Sequence, residues 1–257
     1  MQSEMLVMKR FLILLFLSIL ILPFANCTQK IVFERKQYNS SYPSKLTSDY
    51  NSANIKMEVV EAKNSDSINK IIFENIKEIS SFIDNKKVTI NNYNDIAKSF
   101  IASYKDVKNQ VPNDKLRSWE YHIESNIEYE TEDFVNIVIN YYTSYGELEG
   151  FAEKRSLIFD KISGNQLKKA DVFVNIPRLT QLVEMKFRSK YKILTYKSYN
   201  DQGFCMENNR FKLADNFIYN IDGITFFYNL NEIAPYERGH FEVFMSYDEL
   251  DKYLQVK

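Results

Sequence analysis

Between Trp119 and Asp160 apolar residues recur at every second position, and that period restricts this part of the chain to sheet. Trp119, Tyr121, Ile123 and later Ile127 and Tyr129 alternate with polar neighbours. The run from Phe134 to Tyr145 and the run from Phe151 to Asp160 continue the pattern. Side chains of a strand point to alternate faces, so a period of two marks a half-buried sheet. Glu130 to Asp133 and Gly146 to Gly150 are too short for crossovers. Three strands in succession joined by short turns form an antiparallel meander.

The flanking segments carry a different period. Ile68, Ile71, Ile72, Ile76, Ile79 and Phe82 recur at three- and four-residue spacing, predicting a helix over 66–82 capped by Ser65 or Asp66. Ile96, Ala97, Phe100, Ile101, Tyr104 and Val107 predict a second helix over 93–108, with Pro112 just beyond. Residues 54–62 read as the first strand. Leu179, Leu182, Val183 and Phe187 stripe a helix over 177–191, with Pro177 in its first turn. Asn216 to Leu230 reads as a hairpin about Asp222-Gly223, a pair that favours positive φ at the centre of a tight turn. A last strand follows over 239–245. Ser246 and Glu249 then form the capping box of a closing helix over 246–254. The class is α+β: antiparallel sheet or sheets with flanking helices, in two portions at 54–155 and 156–257 that are able to share one sheet.

The N-terminus concerns location. Lys9 and Arg10 precede Phe11 to Phe24, which is apolar except for Ser18 and Pro23, and Ala25, Asn26 and Cys27 follow. A basic stretch, a short apolar run and a small-residue exit are the marks of a secretory signal peptide, here 1–26. The run is shorter than the ~20 residues of a membrane span. Met8 is an alternative start to Met1. Cys27 stands where a lipoprotein cysteine takes its lipid, although Phe24 and Asn26 depart from the usual lipobox. Ordinary cleavage after Cys27 is the alternative. Residues 27–53 read as the lipidated Cys and a polar tether, leading to an exported protein anchored to a membrane of the bacterial envelope through Cys27.

Composition narrows the chemistry. The formal net charge is −1, and no basic cluster offers phosphates a grip, which argues against nucleic acid. With Cys27 lipidated, Cys205 has no disulfide partner, and it reads as a small buried hydrophobe. Stability then rests on packing, for which 18 Tyr and 19 Phe are available. The chain has 2 His, His122 and His240, and neither has close Cys or His company in the sequence. His122 reads as a surface or rim residue of a strand. No Gly-rich phosphate loop, Ser elbow or paired-Cys motif occurs. Glu147 and Glu149 invite a glycosidase reading, but two carboxylates on one turn read more simply as solvated charge. No catalytic residue, metal ligand or cofactor is assigned.

Three segments carry a family resemblance. They are Phe159 to Leu167 (FDKISGNQL), Phe217 to Phe226 (FIYNIDGITF) and Asn231 to Gly239 (NEIAPYERG). In order and spacing they resemble a domain family of uncharacterised function. That family ends the extracellular part of the anti-sigma-V, lysozyme-sensing factor, and occurs in bacterial lipoproteins and beside peptidoglycan deacetylases. The likeness is clear over 156–254 and weak over 54–151. There the family's Gly-Gly-Ala-His-Gly turn is replaced by Gly146-Glu147-Leu148-Glu149-Gly150, so no role of that His carries over. Too few residues precede the apolar run to hold a sigma factor. The resemblance implies a non-catalytic binding lipoprotein whose partner is a lysozyme-like muramidase or a cell-wall ligand. The alternatives are a peptidoglycan-acting enzyme or accessory, and a structural or host-facing surface protein. Tyr196, Tyr199, Phe204 and Tyr236 are the candidate partner contacts, because Tyr buries area while keeping a polar tip. Core packing, or for Tyr236 a rigid bend at Pro235, is the alternative reading of the same residues.

Overall fold

The computed structural model describes residues 30–43, 52–80, 88–112, 115–146 and 150–257. The expected meander is present: β3 (Trp119–Glu130), β4 (Phe134–Ser144) and β5 (Phe151–Asp160) pair antiparallel in sequence order. Before them come β1 (Phe33–Tyr42) and β2 (Ala53–Ala62), and a two-residue β6 (Gln166–Leu167) closes the sheet. The order is β1-β2-β3-β4-β5-β6, with β2 and β3 parallel and the other pairs antiparallel.

A parallel pair needs a crossover. Here it contains α1 (Asp66–Ile79) and α2 (Tyr93–Lys108). Ser65 Oγ accepts from Ile68 N to start the first, and Asn92 Oδ1 from Asp95 N to start the second. Both helices lie on one face of the sheet. Ile68, Ile72, Ile76, Ile96, Phe100 and Tyr104 are fully buried in the same core as Met57, Val59 and Tyr121. Each such side chain contributes about 1.5–3 kcal/mol by leaving water.

A second, three-stranded sheet holds β7 (Asn216–Asn220), β8 (Gly223–Tyr228) and β9 (Phe241–Ser246), all antiparallel. Between the sheets in sequence lie α3 (Lys169–Val172) and α4 (Ile176–Lys190), and α5 (Tyr247–Leu250) follows β9. Leu179, Val183 and Phe187 of α4 are buried in one core with Phe226, Tyr228, Phe241 and Val243. The Phe187 ring lies 4.7–6.4 Å from those of Tyr191, Tyr199, Phe204, Phe211, Tyr228 and Phe241.

The other face of β8, carrying Phe227, meets the first sheet at Val138, with Ile218 of β7. A β-bulge helps to join the halves. The register of β3 slips between Ile127 and Tyr129, so Ile127 faces Ile137 whereas Tyr129 faces Asn136. One extra residue on a strand reverses the faces beyond it. Ile127 therefore packs on the helix-side core, and Tyr129 on the opposite face stacks with Tyr219 at 5.8 Å.

Several expectations are corrected. The tether reading of 27–53 fails at β1, an edge strand with no fully buried residue. Main-chain pairing to β2 holds it, and that leaves little apolar pattern in a sequence. The halves do not share one sheet, and residues 31–257 form one compact unit, with the boundary at 155/156 falling inside β5. The hairpin loop is Ile221-Asp222, because Asn220 pairs with Gly223. Gly223 has no positive φ. It is required for close approach: a Cβ there would lie 2.1 Å from the Met245 carbonyl oxygen. The closing helix is one turn, although its Ser246–Glu249 box is formed. Phe82, Glu147, Glu149 and the N-terminal residues including Cys27 lie outside the described residues.

Candidate functional site

The helices cover one face of the first sheet and leave the other open over much of its length. On that open face two cross-strand rows run side by side. Lys56, His122, Tyr142 and Ala152 form one, and Glu58, Glu124, Asn140 and Lys154 the other. Directly opposed residues point to the same face, so these side chains share a surface. His240, just before β9, approaches the same surface from the second half. Together they line a cleft of about 340 Å³, with His122, Glu124, Asn140, Tyr142, Lys154 and His240 contributing its polar groups. A smaller recess of about 270 Å³ continues it toward Lys56 and Glu58 and shares His122 and Glu124.

The two histidines of the chain, far apart in sequence, thus line one cleft. The His122 and Tyr142 rings lie 6.1 Å apart at 38°, and His122 Nε2 is 3.8 Å from Glu120 Oε2. Ala152 keeps the row beyond Tyr142 low. Gly150 abuts the phenol end of Tyr142: a Cβ there would lie 2.2 Å from Tyr142 Cε2. Tyr236 Oη donates to the Gly150 carbonyl at 2.9 Å, and its ring stacks on Phe151 at 6.5 Å. Tyr236 is therefore half-buried support for the cleft rim.

Lys154 is held firmly. Its backbone N–H donates to Asn229 Oδ1 at 3.0 Å, and its carbonyl accepts from Asn229 Nδ2 at 2.8 Å. The side chain of Asn229 thereby replaces a neighbouring strand along β5. Asn216 Oδ1 does the same for the N–H of Ser156 at 3.2 Å. The Lys154 ammonium lies 5.3 Å from the Phe227 ring centroid.

The carboxylates along these rows are already engaged. Glu58 is 2.7 Å from Lys56 and 3.4 Å from Arg35. The Lys56 hydrogen bond holds its carboxyl below the usual range against the opposing effect of burial, with Arg35 adding to the shift. Glu124 is 3.5 Å from Arg35 and accepts from Asn126 Nδ2 at 3.0 Å. Glu153, outside these rows and opposite Tyr141 on the helix-side face, accepts from Tyr141 Oη. Burial pushes the Tyr141 hydroxyl up, and the Glu153 carboxylate pushes it further. Among the described residues the side chains of Asn140, Tyr142, Lys154 and His240 have no hydrogen-bond or ion-pair partner.

The residues proposed as partner contacts are not brought together. Tyr199 and Phe204 are 1% and 4% exposed in the core around Phe187, so neither offers a surface. Tyr199 Oη donates to Glu184 at 2.8 Å. Tyr196 is 80% exposed and stands alone. Cys205, expected to be buried, is exposed. Its backbone N–H is tied to the Ile233 carbonyl at 2.7 Å, which fixes its position while leaving the thiol outside. Sequence reasoning missed Asn140, Tyr142 and Lys154. Their polar spacing on two adjacent strands was visible, but the register that aligns them with His122 and Glu124 was not.

Comparison with known proteins adds a family match over part of the chain. Residues 165–248 match the DUF3298 family, described as a protein of unknown function. That segment runs from the turn before β6 into α5, and so includes Tyr236 and His240. Two solved structures share the fold. A DUF3298 family member from Bacteroides fragilis is 20% identical, with TM-score 0.59, and a DUF3298 family protein from Pseudomonas aeruginosa is 13% identical, with TM-score 0.60. Each alignment covers 88% of this chain and 94% of the other. The shared α+β fold therefore extends beyond the DUF3298 segment into the half that carries the first sheet. A search of curated proteins found no match.

Proposed function

We propose that this protein is a non-catalytic binding protein of the bacterial envelope, anchored through lipid on Cys27, that holds a cell-wall fragment in the cleft between its two halves. The observation that carries the reading is the convergence in one cleft, beside His122, of Asn140, Tyr142, Lys154 and His240, solvent-accessible polar side chains with no hydrogen-bond or ion-pair partner among the described residues. Polar groups without internal partners can bond a ligand in exchange for water, with no internal hydrogen bond to break. The half-buried Tyr142 ring gives a flat surface with a hydroxyl at its edge, suited to a sugar or peptide face.

Size separates the two partners implied by the resemblance. Small-ligand sites span roughly 300–1,000 Å³, and the cleft falls at the lower end. A folded muramidase would cover about 800 Å² of this chain, far more than the cleft presents. A wall fragment of one or two units is the better fit.

The test is calorimetric titration of the full chain in detergent with soluble peptidoglycan fragments and, separately, with lysozyme. Saturable binding of fragments that Tyr142→Ala weakens at least tenfold is the expected result. Binding of lysozyme alone, unaffected by Tyr142→Ala, would replace the cleft with a protein-binding surface elsewhere.

A further inference from the structure

From the charges in the cleft we infer that its ligand carries a carboxylate, and that Lys154 is the residue that selects for it. The inference rests on the binding role proposed above and adds the chemical class of the ligand. Both carboxylates of the two rows already have partners within the protein: Glu58 has Lys56 and Arg35, and Glu124 has Arg35 and Asn126. The cations Arg35 and Lys56 are used in the same way. Among the described residues Lys154 is the lysine of the cleft with no carboxylate partner, and its ammonium is a compact point charge with three donors.

Its placement is that of a prepared site. A lysine normally loses considerable side-chain freedom on binding. Here the backbone is clamped on both sides by Asn229, and the ammonium rests over the Phe227 ring. Asn140 lies directly opposite Lys154 on β4, with its side chain free of internal partners. An ammonium and an amide N–H side by side suit the two oxygens of one carboxylate. Tyr142 and His122 in the next row, with His240, then contact the neutral remainder of the ligand.

Wall fragments offer such a carboxylate from two sources, the acid side chain of an amino sugar or the free end of a peptide. The experiment compares four probes on the full chain in detergent: N-acetylmuramic acid, its methyl ester, a D-alanyl-D-alanine-terminated peptide, and its C-terminal amide. At least one acid is expected to bind tenfold or more tightly than its neutral partner, and the pair that discriminates identifies the source. Lys154→Met keeps a chain over Phe227 and is expected to bind that acid no better than its neutral partner. Lys154→Arg is expected to keep most of the preference. Equal binding of acid and neutral probes in both pairs would overturn the selection by Lys154 while leaving the cleft a binding site. Discrimination that persists in Lys154→Met would place the charge recognition elsewhere. Failure of all four probes and of larger wall fragments would overturn the binding role and the inference with it.

Discussion

Asn136, fully buried in β4, accepts a hydrogen bond from the backbone N–H of Tyr219 in β7 at 2.9 Å, so that one side chain ties the two sheets together. Its amide donates to Ser156 Oγ at 2.8 Å and to the Leu157 carbonyl at 3.1 Å. Both its oxygen and its nitrogen are satisfied. The cleft lies between the two halves that this residue and Asn229 bind together.

Replacing Asn136 with Leu would leave the Tyr219 N–H without its acceptor. A buried group stranded in this way costs about 1–3 kcal/mol, and the bulkier side chain adds strain in a packed interior. Asn136→Leu is expected to lower stability by about 2–4 kcal/mol in urea denaturation. A loss below about 0.5 kcal/mol would mean that the halves are held together by other contacts.

Gly150→Ala tests the shape of the cleft without changing its charge. The added methyl would meet the end of the Tyr142 ring, which must swing away. Weaker fragment binding with little change in the thermal midpoint is expected. Tyr236→Phe removes the hydroxyl that holds the Gly150 carbonyl and should act in the same direction, with about 1 kcal/mol lost in stability.

Gly223→Ala should be more damaging to the fold than the hairpin alone would suggest. A Cβ at this position meets backbone on β9, 2.1 Å from the Met245 oxygen and 2.8 Å from Ser246 Cα. Backbone cannot move aside as a side-chain tip does. We expect a loss of about 2 kcal/mol or more, read by denaturation, against less than about 0.5 kcal/mol at an exposed turn position.

Asp160 gives a pH dependence with a definite sign. Hydrogen bonds from the Ser163 N–H and hydroxyl and from the Ile162 N–H hold its carboxyl below the ordinary 3.8, against a smaller opposing effect of burial. A folded-state value below the unfolded one stabilises fully at pH well above 3.8, and that stability is lost as pH falls through the folded value. Wild type should therefore lose more stability than Asp160→Asn when the pH is lowered from 5 to below 3. Parallel loss in the two proteins would show that the turn at Gly164 does not depend on this charge.

What could be read from the sequence follows from where each element draws its stability. The helices of the crossover and the strands of the meander bury apolar stripes, so their periods name them, and 93–108 is matched to the residue. β1 is an edge strand supported by main-chain pairing, which needs no pattern beyond Phe33, Tyr38 and Tyr42. The bulge that turns Tyr129 toward Tyr219 has no local cue, because Ile127 and Tyr129 alternate as though the strand were regular. Of the three segments that carried the resemblance, Phe217 to Phe226 and Asn231 to Gly239 lie inside the DUF3298 match, and Phe159 to Leu167 enters it only at 165–167. The cleft was not recognisable, because it depends on register. His122 gains its meaning from Tyr142 opposite it, and Asn140 from Lys154. The aromatics of 191–209 misled for a related reason: irregular backbone suggested an exposed excursion, whereas Tyr199 and Phe204 close the core around Phe187.

The most direct test uses the two histidines, since the chain contains no others and both line the cleft. Their ring signals, followed by NMR on the full chain in detergent micelles, report on the cleft without further labelling. Adding soluble peptidoglycan fragments is predicted to shift both sets of ring signals saturably, at the same midpoint as the calorimetric binding curve. Binding that saturates by calorimetry while both histidines stay unmoved would contradict the account and place the ligand on another surface.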